Sequence, residues 1–459
     1  MPSASAPGLI DDRASVEPSS RGGASHRLDV HPSQRLLAGL LLVGILIATA
    51  VRVVLLPTAG FRPDLDQFVL WVHDIATMPL GDAYRQNLSF PPVMAYVFAA
   101  LGAADPAFRT ATTAADPTVR VLMKLPATLA DAGLAAGVAY ALRSRPGWAV
   151  AGALGILLHP AVLYLSAWWG QFESIYLLPA LVAYLLAISG RPVPAGVALA
   201  ISLMTKPQAL PFLVPFAAWV LGRYGVRVAV ATALAGALTV GLLWLPFLAA
   251  GGPLAYLGNV AMYQGETFPV ISLRAWNAWW ILQVQVTGGF VSDAGRIAGP
   301  VTPRLIGLAM AGLGEAIVFL AVLRRPTPRA LALGLTCATL VAFSLLTTMH
   351  ERYAYGAVVF LALLLPERGP RLAWIAFGIL FTLNLVAAIP ATPVLASVPL
   401  GGALGIAGSL GMLSLTAACL WLLLRAPPVG AAGRIPGEPV RLPSQAATGI
   451  STMGRSPRE

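Results

Sequence analysis

Long apolar stretches dominate this chain and are separated by short polar turns. Many of them approach the about 20 residues that a helix needs to cross a bilayer, and shorter ones are tolerated inside a bundle. The predicted spans are 36–56, 119–142, 148–168, 173–190, 193–205, 208–222, 226–250, 304–323, 330–347, 353–366, 371–391 and 402–424. We therefore predict an all-α polytopic membrane protein with about 12 transmembrane helices, within about 11–13.

The polar segments divide the chain into regions. Residues 1–35 and 425–459 are rich in Ser, Arg and Pro, which predicts disordered tails. Residues 36–424 form the predicted transmembrane domain. Its two long loops are 57–118 and 251–303, and loops of that length inside a compact domain are usually functional.

One apolar segment, 91–104, is too short for an ordinary span and begins with two prolines. A re-entrant or juxtamembrane helix fits this length and this start. The alternative is a true span that pairs with a second, cryptic crossing. The topology below assumes the first interpretation.

Composition supports a membrane protein. The chain is 57% hydrophobic and 11% charged, whereas soluble domains carry about 25% charged residues. The net charge of +11 does not indicate nucleic acid, because the basic residues lie in loops beside apolar spans. Cys337 and Cys419 both lie inside predicted spans, so the sequence has neither a disulfide framework nor a zinc motif.

Arginines give the predicted orientation. Every second turn carries them, which the positive-inside rule places in the cytoplasm together with both tails. The arginines of these turns are Arg143, Arg145, Arg191, Arg223, Arg227, Arg324, Arg325, Arg329, Arg368, Arg371 and Arg425. The two long loops and the polar motifs described next are then predicted on the outer face of the membrane.

The first outer loop contains two carboxylates, Asp64 and Asp66, at the start of a predicted amphipathic helix, 66–78. Trp71 is expected to anchor this helix in the membrane interface. Carboxylates at a helix amino terminus are often simple caps. A carboxylate beside the membrane is also what a general base for a substrate hydroxyl requires, so both interpretations stay open.

Lys124 and Lys206 are the two lysines among 30 basic residues, and both are predicted at the outer face. A compact ammonium suits phosphate oxygens, although snorkelling at a span end would explain either residue. Lys206 is the stronger phosphate-binding candidate, because Pro207 breaks the helix beside it. Gln208 follows as a substrate-binding candidate.

Two aromatic segments offer hydrogen bonds of the kind that sugars accept. Trp169, Gln171 and Glu173 lie where one predicted span ends and the next begins. An aromatic belt explains the tryptophan but not the two polar side chains. In the second outer loop, Asn277 accompanies a group of tryptophans and a serine: Trp276, Trp279, Trp280 and Ser272. An interfacial helix would have the same composition.

His350, Glu351, Arg352 and Tyr353 form the densest polar cluster beside a span. Arg352 could bind a phosphate with two hydrogen bonds, with Glu351 orienting it and His350 donating to the leaving oxygen. A salt-bridged span end is the alternative.

Two further carboxylates, Asp131 and Glu315, fall inside predicted spans. Carboxylates in a membrane are functional candidates by default, although both could be packed against polar partners.

Taken together, these motifs occur in an order that resembles the type-C (GT-C) glycosyltransferases, above all bacterial relatives of the eukaryotic GPI-anchor second mannosyltransferase. The likeness covers roughly residues 60–355. Its motifs are the acidic first outer loop, Phe90-Pro91-Pro92, Lys124-Leu125-Pro126 with Asp131, His159-Pro160-Ala161, Trp169-Gly170-Gln171-Phe172-Glu173, Thr205-Lys206-Pro207-Gln208 and His350-Glu351-Arg352-Tyr353. Glu173 replaces that family's usual Asp and keeps its charge. Arg274 replaces the first Asn of the family's Ser-x-Asn-Ala-x-Asn motif.

The resemblance implies a GT-C fold and a hexosyltransferase of the bacterial cytoplasmic membrane, with its active site facing outward. A hexose, mannose by this likeness, would move from a polyprenyl-phosphate-linked donor to a hydroxyl of a lipid, glycan or protein acceptor. The resemblance implies no cofactor and no bound metal. It also implies a catalytic Asp in the first outer loop, matched best by Asp64, with Asp66 still open. Membrane lipids are expected partners, and nucleic acid is not.

Two rival functions share the membrane setting. A transporter or flippase of a lipid-linked glycan is favoured by Asp131 and Glu315 alone, since transporters place polar sites near the bilayer midplane. A polymerase or ligase for surface glycans would use the same lipid-linked substrates on longer chains.

Overall fold

A computed structural model describes residues 32–425. The predicted tails 1–35 and 425–459 therefore lie almost entirely outside the described residues. Within residues 32–425 the chain is helical, with isolated β-bridges and no β-strand. The fold is thus an all-α one, as predicted.

Sixteen α-helices follow one another along the described residues. They are α1 (Pro32–Leu55), α2 (Arg62–Thr77), α3 (Pro92–Ala104), α4 (Pro117–Ala141), α5 (Pro146–Leu157), α6 (Pro160–Val162), α7 (Glu173–Ile188), α8 (Pro192–Leu203), α9 (Leu213–Trp244), α10 (Gly252–Met262), α11 (Ala278–Leu282), α12 (Pro303–Arg324), α13 (Pro328–Leu345), α14 (Gly356–Ala362), α15 (Arg368–Ala388) and α16 (Gly402–Leu424). Short 3₁₀ segments connect some of them at Leu80–Gln86, Pro106–Arg109, Pro207–Phe212, Leu245–Phe247 and Leu395–Ser397. π-Helical turns lie at Leu163–Trp169, Tyr263–Thr267 and Gln283–Thr287.

Eight helical segments in residues 32–425 are long and apolar enough to cross a membrane. They are Ser33–Leu55, Pro117–Ala141, Pro146–Trp169, Pro207–Phe247, Pro303–Arg324, Pro328–Leu345, Arg368–Ala388 and Gly402–Leu424. The chain is therefore a multi-pass membrane protein, as its sequence predicts. The number of crossings, about 12 by the sequence pattern, stays a prediction.

The longest of these segments is broken in its middle. Pro207–Phe247 has 41 residues, and a straight helix of that length would measure about 60 Å, twice the hydrocarbon thickness. Gly225 interrupts it with φ 80° and ψ 176°. The break lies where the sequence predicts a turn between the spans 208–222 and 226–250, so the two halves have the lengths of separate spans.

Other predicted spans form shorter helices. The helices α7 and α8 have 16 and 12 residues. The predicted span 353–366 contains only the seven-residue helix α14, which is buried along its length. The segment 91–104 forms α3, of 13 residues, whose length suits the predicted re-entrant or juxtamembrane helix.

The core of the bundle lies along α13 and α14. Nearly every residue of α13 is buried, and α9, α12, α14 and α16 pack around it. Helices α4, α5, α7 and α8 form a second group, in which α4 packs against both α5 and α7, and α7 packs against α8. Helices such as α1 and α9, by contrast, expose leucine and valine side chains outward, as helices facing lipid do.

The first long loop, residues 57–118, folds into a small unit with an aromatic core. Helix α2 buries Phe68 and Trp71 against Phe90, Phe98 and Phe172. Trp71 is 4% exposed, so the predicted role of this side chain as a membrane anchor is wrong. Its burial fixes α2, and with it the start of that helix, against the bundle.

An ion pair lies inside the bundle between α1 and α4. Arg52 Nη2 is 2.9 Å from the buried Asp131 Oδ2. Asp131 also accepts hydrogen bonds from the hydroxyls of Ser166 and Ser174, both at 2.5 Å. Ser174 Oγ in turn lies 3.0 Å from the Tyr355 hydroxyl. Asp131 is thus packed against polar partners. This is the structural alternative to a functional role that the sequence left open for a carboxylate inside a span.

We predict that Asp131→Leu or Arg52→Leu alone destabilises the protein by roughly 3–5 kcal/mol, because each leaves one charge buried without its partner. The double variant should lose less unfolding free energy than the sum of the losses in the two single variants, because it leaves no unpaired buried charge. Thermal unfolding in detergent, followed by tryptophan fluorescence, measures the order of stabilities. Arg85→Ala, which removes an exposed ion pair with Asp82, is the control and should change stability by at most about 1 kcal/mol. Additive losses in the double variant would contradict the coupling.

Candidate active site

Four segments from distant parts of the sequence meet at one end of the bundle. They are the first turn of α2, the turn before α7, the connection between α8 and α9, and the segment after α13. Together they line a cavity of about 400 Å³. The side chains with ionisable or amide groups in its wall are Asp64, Gln67, Gln171, Lys206, Gln208, Tyr263, Gln264, His350, Arg352 and Tyr353.

Gly170 makes the turn before α7 possible. It has φ 90°, a conformation that glycine adopts without strain. A Cβ atom here would lie 2.6 Å from a methyl group of Leu65 on α2. The missing side chain therefore lets the turn approach α2 closely, with Trp169 and Gln171 on either side of the glycine.

Asp64 lies in this contact. Trp169 Nε1 donates a hydrogen bond to Asp64 Oδ2 at 3.0 Å, and Gln171 Nε2 donates to the same oxygen. Within residues 32–425 no hydrogen bond reaches Oδ1. Asp64 lies in the first turn of helix α2, whose N-cap makes no side-chain hydrogen bond. Its carboxylate is oriented through one oxygen while the other stays available.

A buried cluster of charges continues the site from Glu173, the first residue of α7. Lys206 Nζ lies 2.5 Å from Glu173 Oε1, and Arg352 Nε lies 3.5 Å from the same oxygen. Both cations line the cavity. The Arg352 guanidinium also lies over the Trp169 ring at 5.3 Å. Glu173 thus holds two cations of the cavity wall in place from behind.

His350 is a neutral hydrogen-bond donor in this arrangement. Burial, followed by the positive charges of Arg352 and Lys206, lowers the pKa of the His350 imidazole well below its usual value of 6.5. Arg352 Nη1 lies 3.2 Å from His350 Nδ1. Because a guanidinium can only donate, Nδ1 accepts and the imidazole proton lies on Nε2.

Glu351 balances the charge of Arg352 from beside it. Its Oε1 accepts a hydrogen bond from Arg352 Nη1 at 2.9 Å. Burial raises the pKa of Glu351, and the charge of Arg352 opposes that shift. When Asp64, Glu173 and Glu351 are all ionised, their three negative charges exceed the two positive charges of Lys206 and Arg352.

Aromatic and apolar side chains complete the lining of the cavity. Tyr263 and Phe268 come from the second long loop, residues 251–303, and the Phe268 ring lies 5.2 Å from the His350 ring. The apolar residues include Leu210, Pro211, Ala342, Phe343 and Leu346. The lining therefore combines polar, charged side chains with apolar ones, which suits an amphiphilic ligand.

The structure brings together most of the predicted site residues but places two elsewhere. Asp66 pairs with Arg62 at 2.9 Å and accepts a hydrogen bond from the Ala114 amide, away from the cavity lining. Asn277 caps α11 and donates to the Phe343 carbonyl. Both side chains stabilise loops. Gln208 does line the cavity, and it hydrogen-bonds the Tyr353 hydroxyl.

Lys124 and Arg274 also make structural contacts. Lys124 is fully buried, and its Nζ donates to the Thr58 carbonyl at 2.9 Å, where α1 has just ended. The predicted phosphate contact of Lys124 therefore has no geometric basis. Arg274 has φ 63° and donates to the Ala388 carbonyl. Asparagine adopts this left-handed conformation more readily than arginine. The backbone at position 274 would therefore suit the asparagine of the Ser-x-Asn-Ala-x-Asn motif.

Some cavity residues are absent from the sequence-based set. Gln67 lies one helical turn after Asp64, on the same face of α2. That spacing would have found it. Tyr263, Gln264 and Phe268 belong to the π-helical turn after α10 and the residues beside it, and no sequence pattern marks them.

We predict that the contribution of His350 to the stability of the protein falls as the pH falls below about 6.5. In this range the unfolded state binds a proton at His350 and the folded state does not, so unfolding is favoured at low pH. The His350→Gln variant should show a shallower loss between pH 7 and pH 5. Denaturant unfolding in detergent at several pH values measures both slopes, and parallel curves for the two proteins would contradict a neutral, buried His350.

The comparisons with known proteins assign no family. No family model matches the chain, and no curated protein matches it either. The function is therefore argued from the geometry of the cavity and its side chains.

Proposed function

We propose that the protein is a GT-C-type membrane hexosyltransferase that moves a sugar, mannose by family resemblance, from a polyprenyl-phosphate donor to an acceptor hydroxyl. The observation that carries this proposal is the cavity that Asp64 and the cations Lys206 and Arg352 line together. A general base and a phosphate site within one cavity are the two parts that this transfer needs. We place the site on the outer face of a bacterial cytoplasmic membrane, because the positive-inside rule puts the Arg-rich turns on the other side.

Asp64 is the proposed general base. Trp169 and Gln171 hold Oδ2, so Oδ1 can accept the proton of the acceptor hydroxyl. The deprotonated oxygen then attacks the anomeric carbon of the donor sugar, and the bond from that carbon to the phosphate oxygen breaks with inversion. The products are the glycosylated acceptor and polyprenyl phosphate, which keeps the bonding electrons as negative charge.

The leaving phosphate requires positive charge that is already in place. Lys206 and Arg352 supply it, and Nε2–H of His350 donates a further hydrogen bond. Glu173 and Glu351 keep the two cations buried in the absence of donor, at the cost of partly neutralising them. Protonation of Glu351, whose pKa is raised by burial, would release Arg352 toward the phosphate.

The apolar wall supports a lipid-linked donor. Leu210 is 58% exposed and belongs to the 3₁₀ segment that also carries Gln208. Its neighbours in the wall, Ala342 and Phe343, lie near the end of α13. A prenyl chain can follow these apolar side chains while its phosphate stays with Lys206 and Arg352.

One observation favours transport as a second function. Both carboxylate oxygens of Glu315 on α12 are buried and have no hydrogen-bond partner within residues 32–425. An unpaired carboxyl inside a span is a feature of proton-coupled transport. A transporter or flippase would use Glu315, whereas the transferase would use Asp64.

We predict that Asp64→Asn lowers transfer by at least about 100-fold, because amide oxygen cannot act as a general base. Asp66→Asn should keep most of the activity, since Asp66 contacts Arg62 and Ala114 instead. The measurement uses purified protein in detergent and lipid, radiolabelled polyprenyl-phosphate mannose, glucose or arabinose, and membrane extract as the acceptor.

Full activity in Asp64→Asn would refute the assignment of the base. A lack of transfer from every donor, in an assay where a membrane fraction is active, would refute the transferase. Glu315→Gln should leave transfer unchanged. Its effect on lipid-linked glycan movement in vesicles would then decide for or against transport.

A further inference from the structure

The segment that carries His350 and Arg352 begins with a strained residue. Thr348 has φ +59°, and a β-branched side chain in this left-handed region is a genuine outlier. Such strain persists only where the surroundings hold the residue in place. Thr348 and His350 both line the cavity, so the strained backbone lies directly at the site.

Asp293 supplies part of this hold. Its buried Oδ2 lies 3.1 Å from Thr348 Oγ1 and 3.0 Å from Thr347 Oγ1. Arg304, at the start of α12, binds both Asp293 oxygens at 2.8 Å. Although burial favours the neutral form, the hydrogen bonds from Arg304 and the threonines lower the pKa of Asp293. The carboxylate is thus charged and fixed by a bidentate pair.

The backbone around Thr348 connects the second outer loop to the same segment. The Thr348 amide donates to the Ile271 carbonyl at 3.2 Å, and the Leu273 amide donates to the Met349 carbonyl at 3.0 Å. Asp293 itself does not line the cavity. Asp293 contacts the segment through the hydroxyls of Thr347 and Thr348, so its effect on the site can pass through Thr348 and the residues that follow it. The Thr348 hydroxyl also lies 3.1 Å from the Val270 carbonyl, which is a second acceptor within its reach.

We propose that Asp293 is a positioning residue, which holds Thr348 in its left-handed conformation and so fixes His350 and Arg352 in the cavity wall. The kinetic part of this inference rests on the proposed transferase function. The structural part does not, because the position of the His350 imidazole can be measured without turnover. Thr347 is the matched control: it donates to the same Asp293 oxygen but is absent from the positive-φ residues.

The first experiment reports the chemical environment of the His350 imidazole. Protein labelled with ¹³Cε1-histidine contains five histidines, and His350→Gln assigns the signal of interest. Asp293→Asn should shift the His350 signal, and so should Thr348→Ala, which keeps the strain and loses the hydroxyl. Thr347→Ala should leave the signal in place. An unmoved His350 signal in Asp293→Asn overturns the proposal.

The second experiment is a cycle of transfer kinetics. We expect Asp293→Asn to lower kcat/KM for the lipid-linked donor by roughly 10- to 100-fold, as small misplacements of positioning groups do. In a Thr348→Gly background the same change should alter kcat/KM within about twofold, since glycine adopts this φ without being held. Equal losses in both backgrounds overturn the proposal.

Two further comparisons cover the cases in which a variant or the assay fails. If Asp293→Asn does not fold, Thr348→Ala and Thr348→Gly are compared instead. The glycine variant must then be the more active, because glycine adopts the φ of residue 348 without strain. If the wild-type protein transfers no sugar, the proposed function fails while the imidazole signal still tests the positioning. Normal transfer with an unmoved signal refutes the positioning alone.

Discussion

The buried carboxylate of Glu173 is the constraint on which the end of the bundle depends. A carboxylate that is 1% exposed is tolerated only with counter-charges. Lys206 and Arg352 supply them from two segments that are distant in the sequence. The start of α7, the connection between α8 and α9, and the segment after α13 must therefore meet. Apolar side chains of the same segments, among them Trp169, Phe212 and Tyr355, pack in the core beside this ion cluster. The pairing leaves two cations in the wall of one cavity.

A second polar network continues this constraint into the bundle. Ser174 follows Glu173 in the first turn of α7 and donates to Asp131, which pairs with Arg52 on α1. Ser174 also contacts Tyr355, close to Arg352 in the chain. The two networks thus share one helical turn. Because a half-satisfied buried network is costly, the ion pair at the middle of α4 helps to fix the geometry of the cavity wall.

The sequence predicts elements and chemical groups better than their contacts. Helix α16 has its predicted bounds, 402–424, because a continuous apolar stretch depends on composition alone. Asp64, Lys206 and Arg352 were predicted site residues because their charges stand out beside apolar spans. Which of the charged residues line the cavity and which make structural contacts depends on the direction of their side chains. Neither the pairing of Asp66 with Arg62 nor the contact of Lys124 with the Thr58 carbonyl follows from residue type and spacing. The sequence does not mark Asp293 for the same reason, because its contact is with Thr348, whose left-handed backbone is visible only in the structure.

The position of the polar groups bears on the choice between transferase and transporter. Transporters place their binding groups near the bilayer midplane, often where helices are broken. Here Glu173 begins α7, Lys206 follows α8 and His350 follows α13, so these polar side chains lie at helix ends. Asp131 lies within a span, yet its carboxylate is already occupied by Arg52 and two serines. Glu315 is the carboxylate with both oxygens buried and unpartnered among residues 32–425. A cavity at helix ends, lined by both polar and apolar side chains, suits chemistry on a lipid headgroup at the surface better than passage of a solute through the middle.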